Sequence, residues 1–148
     1  MAIHDFYQVL ADGQDLAGGY DGQVSEHTVD WDESPARKGG HPRPIWFEVY
    51  VTTAFVGGGD NSGLRITVQN ADGATGDFKD ILIGPDIPLA QLTVGAVFQI
   101  PYPLMGLDDD DNVMYGGPNQ VLRLKFDSIS SEAGNWTAGT IDAVLTGG

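Results

Sequence analysis

The chain has 148 residues, a length that fits one domain and buries about 68–70% of its unfolded surface. Its 41% apolar content supports a packed core, while 21 Gly and 8 Pro argue against a helical bundle and for turns between many short strands. The formal net charge of −14 disfavours phosphate backbones and anionic membranes as partners, and the absence of Cys excludes disulfides, thiolate nucleophiles and zinc–thiolate sites.

The first residues, MAIHDFYQVL, lack a basic region followed by a long apolar run, so no signal peptide is expected there, and no stretch is apolar enough to span a membrane. Residues 1–22 read as an N-terminal arm, polar and Gly-rich after the opening, and residues 23–148 as a single β domain. VSEHTVDW, residues 24–31, is strand-like, and the Pro-, Gly- and charge-rich residues 32–44 form a loop. IWFEVYVTT alternates: Ile45, Phe47, Val49 and Val51 take one face, Trp46, Glu48, Tyr50 and Thr52 the other.

GGGDNSG reads as a loop, and LRITVQN alternates again with Leu64, Ile66 and Val68 inward. DILIG, residues 80–84, is a short strand that PDIP interrupts, and Gly95 marks a bend in the following apolar stretch. After the long loop LMGLDDDDNVMYGGPNQ comes VLRLKFDS, with Leu122, Leu124 and Phe126 inward. SSEAGNWTAG reads as a turn and TIDAVLT as the last strand. About eight strands with little or no helix predict an all-β antiparallel sandwich or barrel, and a jelly roll fits better than an immunoglobulin fold, which usually shows a Cys…Trp…Cys pattern.

No motif spells out an enzyme. His4, His27 and His41 show no metal-ligand spacing, there is no G-x-S-x-G elbow, and GGGDNSG lacks the Lys of a phosphate loop. In LDDDDN, Asp108 and Asp110 are the residues a calcium ion would use, but Val113 stands where an EF-hand loop needs Gly. Charge this dense favours a solvated loop, so no metal or other cofactor is expected. Asn135–Trp136–Thr137 matches a glycosylation sequon, a pattern common by chance. Trp31, Trp46 and Trp136 suit either a sugar platform or, more often in a β-sandwich, core and subunit contacts.

Three stretches in order carry a resemblance: WFEVYVTTAFVGGGDNSGLRITVQNADG, DILIGPDIPLAQLTVGAVFQIPYPL and VLRLKFDSISSEAGNWTAGTIDAVLT. From about Glu48 onward, over some two-thirds of the chain, the sequence resembles the jelly-roll capsid cement (head decoration) proteins of tailed bacteriophages, of the type carried by a Bordetella phage. Residues 32–44 and the aspartate loop look longer than the family norm.

The resemblance implies a structural virion protein, made in the host cytoplasm, that binds the capsid exterior and ties major capsid protein subunits together. It also implies a homo-oligomer, dimer or trimer. The interface candidates are Phe6, Tyr7 and Tyr20 in the arm, with Trp31 and Trp46. The competing expectation is a calcium-dependent carbohydrate-binding jelly-roll module that uses the tryptophans and LDDDDN.

Overall fold

The alternating stretches become the walls of a two-sheet sandwich. The computed structural model describes residues 9–30, 45–72, 77–102, 106–107, 110, 113–114, 120–130 and 133–147. The strands are β1 (Val9–Asp15), β2 (Gln23–Val24), β3 (Val29–Asp30), β4 (Ile45–Gly59), β5 (Gly63–Asp72), β6 (Lys79–Pro88), β7 (Val97–Pro101), β8 (Gly106–Leu107), β9 (Val113–Met114), β10 (Gln120–Ser128) and β11 (Ala133–Gly147). One 3₁₀ turn, Leu89–Gln91, is the only helical element among the described residues.

One sheet, here called the first, runs β1–β11–β4–β7; the second runs β2–β10–β5–β6, with β3 also on β10. All the pairings within them are antiparallel. Count β2 and β3 as one broken strand and set the β8–β9 hairpin aside. Of the eight strands left, the first, eighth, third and sixth then form one sheet, and the second, seventh, fourth and fifth the other. That is the connectivity of a jelly roll.

Between the sheets lies the core. Phe47, Val49 and Val51 from β4 face Leu64, Ile66 and Val68 from β5; Leu122, Leu124 and Phe126 from β10 face Ile141, Ala143 and Leu145 from β11. Every one of these is buried, as their period-two spacing requires. Two edge-to-face ring pairs brace the two ends: Phe47 with Tyr102 at 6.1 Å between centroids, and Phe55 with Trp136 at 5.8 Å.

The arm expected over residues 1–22 is corrected over residues 9–22. β1 is a strand of the first sheet, paired to β11 with two register breaks, and Leu10, Ala11 and Leu16 belong to the core. Residues 18–20 are clamped behind it: Trp136 N–H donates to Gly19 O (2.8 Å), Gly18 N–H to Trp136 O (2.8 Å) and Ser128 N–H to Tyr20 O (2.6 Å). Residues 1–8 lie outside the described part.

Three further expectations change. VSEHTVDW is not one strand, because the ladder breaks at Ser25: its N–H still donates to Leu124 O (2.8 Å), but its hydroxyl accepts from Leu124 N–H and donates to His27 O. PDIP does not interrupt β6, which continues to Pro88 as an edge strand, where Pro is tolerated. The expected turn SSEAGNWTAG contains the first seven residues of β11.

The two sides of the sandwich differ. On the β1 side, His27 N–H donates to Leu10 O (2.9 Å), and the Gln14 amide donates to Val24 O (2.8 Å) and accepts from Glu26 N–H (3.0 Å), stitching the sheets together. On the other side, β6 and β7 end their sheets with no strand beyond them among the described residues. The two ends also differ. Residues 16–22, 60–62 and 89–96 close one end. From the other, the register (Ile45↔Gly147, Trp46↔Pro101, Gln120↔Asp72, Val121↔Asp30, Val9↔Val144) sends off residues 1–8, 31–44, 73–76 and the chain beyond Tyr102.

Candidate functional site

Charge divides the two outer faces. Among the described residues all four cations, Arg65, Lys79, Arg123 and Lys125, belong to strands of the second sheet. The network there is locally satisfied. Arg65 Nε lies 2.7 Å from Asp86 Oδ1; Lys125 Nζ lies 3.4 Å from Asp80 and 3.6 Å from Asp127. Arg123 donates to Gln69 Oε1 (2.8 Å) and stacks 3.7 Å above the Phe78 ring centroid. Such exposed pairs contribute little to stability, and among the described residues their arrangement leaves no unpaired basic patch to recruit an anion.

The four strands of the first sheet carry no Lys or Arg. Their outer face holds an aromatic–carboxylate strip. Trp46, Glu48 and Tyr50 alternate outward along β4, and Gln99 stands across from Glu48 on β7. Trp46 Nε1–H donates to Glu48 Oε1 (2.9 Å), Gln99 Nε2–H to the same oxygen (3.3 Å), and the Tyr50 hydroxyl to Glu48 Oε2. The hydrogen bond to Glu48 raises the Tyr50 pKa above its ordinary value. The strip is rigid and polar-tipped, with its carboxylate already engaged.

The expected interface residues do not form one patch. Trp46 is half-buried at the end where residues 1–8 and 31–44 leave. Tyr20 is 42% exposed at the opposite end. Phe6, Tyr7, Trp31 and Asp108 fall outside the described residues. Asp110 is exposed between β8 and β9. Among the described residues no three His, Cys, Asp or Glu come together in a way that could hold a metal ion. Trp136, one of the candidate platform tryptophans, is fully buried and cannot present a ring to a sugar. Glu48 and Tyr50 were signalled only as the outward face of an alternating strand; nothing in the sequence places Gln99 opposite them.

A second cluster closes the far end. Asp127 accepts from Gly22 N–H (2.6 Å) and shares a side-chain hydrogen bond with Asp21. The pair splits the two carboxyls: that bond raises Asp21 above 3.8, while Asp127 is held below 3.8 by its hydrogen bonds to Asp21 and Gly22 and by Lys125, against the opposing effect of burial. Asp127 therefore adds stability above its unfolded pKa, lost as pH falls through its folded value. Asp21 does the reverse: its contribution is full below the unfolded value and lost as pH rises through its folded one. Asp21→Asn should remove that upper step, so its melting temperature at neutral pH should equal or exceed that of the parent. A clear drop at neutral pH, read from thermal melts across the acid range, would contradict this account.

No protein-family model and no curated protein matches the sequence. Among solved structures, a chain from the structure of infectious bursal disease virus Gx strain is similar over 93% of this chain, at 14% identity and a TM-score of 0.44. The present chain spans 30% of that chain. A likeness of that depth says nothing of what this chain binds.

Proposed function

We propose that this chain is a structural virion protein, a capsid cement that binds the outer surface of a phage head and stabilises contacts between major capsid protein subunits. One observation carries the reading. Each of the three stretches that resemble the cement proteins supplies one strand to each sheet: β4 with β5, β6 with β7, β10 with β11. The resemblance therefore runs through both sheets, β1 to β3 excepted, and is not confined to one hairpin. A self-satisfied, acidic, all-β body suits a part that stands outside a DNA-filled shell, and many copies at modest individual affinity would stabilise it together.

The contacting end in this reading is the one from which residues 1–8 and 31–44 depart. Phe6, Tyr7 and Trp31 lie in those segments, Trp46 sits at that end, and residues 31–44 contain Arg37, Lys38 and Arg43. Co-sedimentation with empty capsids tests it. Deleting residues 1–8 should abolish binding and Tyr20→Ser, at the far end, should not; the opposite pattern would reverse the orientation. The carbohydrate-binding reading retains one supporting observation, the Trp46–Glu48–Tyr50 strip on the first sheet's outer face. Retention on glycans together with a calcium-dependent rise in melting temperature would favour it.

A further inference from the structure

We infer that the β7 edge is a self-association surface, at which two copies pair antiparallel about a two-fold axis and continue the first sheet from one subunit into the next. The inference does not depend on the capsid reading.

A free strand edge exposes a row of N–H and C=O groups that invites another strand, and proteins blunt such edges with charge, Pro and bulges. β6 is blunted in all these ways: Lys79, Asp80 and Asp86, Pro85 and Pro88, and two register breaks against β5. β1 is bulged and stitched to residues 24–27. β7, VFQIP, has an unbroken register with β4 and no charged residue, and its one Pro is the last residue.

Its phase is fixed. Val51 N–H donates to Ala96 O (2.9 Å), so in alternation Phe98 and Ile100 bond to β4 while Val97 and Gln99 turn their N–H and C=O groups to the open side. Pro101, which has no N–H, falls in the outward phase and so interrupts no bond to β4. An antiparallel pair centred on Gln99 sets Gln99 against its own copy and Val97 N–H against the Pro101 carbonyl of the second copy. Every outward N–H then has an acceptor. Beside this edge stand two exposed apolar side chains, Val97 at 46% and Val94 at 68%, with the uncharged Gln99 between Phe98 and Ile100.

The self-complementary register selects a second copy as the occupant, and charge selects the edge. Each chain carries −14, so two copies can approach closely only where no carboxylates oppose. β6 would bring Asp80 and Asp86 together; β7 brings none. The carboxylate in register with Gln99, Glu48, is already held by Trp46, Tyr50 and Gln99.

Sedimentation equilibrium of the full chain tests this. The parent should show the mass of two chains, with association strengthened by added salt, because screening relieves like-charge repulsion. Val97→Lys should return the mass to one chain with an unchanged circular dichroism spectrum, while Ile83→Lys on the β6 edge should stay at two. Amide exchange gives a check that needs no variant: Val97 and Gln99 amides should become protected as concentration rises. A parent of one or of three chains, a Val97→Lys variant still of two, an Ile83→Lys variant of one, weakening by salt, or exchange at Val97 and Gln99 independent of concentration would overturn it.

Discussion

Deleting residues 1–20 should unfold the domain, and the loss should be visible as collapse of the β spectrum and of the cooperative melt at room temperature. The deletion removes β1 and the residues that follow it, with Leu10, Ala11 and Leu16 from the core. Truncating one buried leucine costs about 2–5 kcal/mol, so two cost about 4–10 kcal/mol, against a total stability of about 5–15 kcal/mol. It also strips the acceptors from Trp136 N–H and Ser128 N–H and the stitch formed by Gln14. Deleting residues 1–8 leaves all of these in place and should keep the melt. A cooperative, near-parental melt after removal of residues 1–20 would show that β1 is dispensable.

Trp136→Ala should be the most damaging single substitution, and Trp136→Phe far milder. The Trp136 side chain is fully buried and stacks edge-on against Phe55. Cutting it to Ala leaves a large void, at about 3–5 kcal/mol, which for a domain of this size lowers the melting temperature by roughly 10 °C. The indole Nε1–H, however, has no hydrogen-bond partner among the described residues. A buried donor left unmade costs about 1–3 kcal/mol, and Phe removes that donor while keeping most of the apolar area. The melting temperature of the Phe variant should therefore lie much nearer the parent than the Ala variant. Equal losses for both would mean that the indole N–H is satisfied.

The sequence made the inner faces legible because period-two alternation survives wherever one face is buried: Phe47–Val51, Leu64–Val68 and Leu122–Phe126 all point as read. It hid the strand ends for a physical reason. Glycine normally marks a turn, yet here it marks close backbone approach inside the β4–β11 pair. A Cβ on Gly134 would sit 2.2 Å from Gly58 O, and one on Gly139 would sit 2.8 Å from the Phe55 ring. The two strands therefore extend to Gly59 and start from Ala133, through stretches that read as loops. β1 was hidden by its two register breaks, which destroy alternation in VLADGQD. At the candidate site, Trp46 was legible as an aromatic on an outward face. Its union with Gln99, and that of Asp21 with Asp127, depend on pairings between residues far apart in sequence.

The proposed role is tested most directly by heating empty phage capsids with and without saturating protein and following their disruption. Cementing predicts saturable decoration of the capsid exterior and a higher disruption temperature for decorated shells than for bare ones. Shells that disrupt at the same temperature with and without the protein, or that take up none of it, would contradict the account.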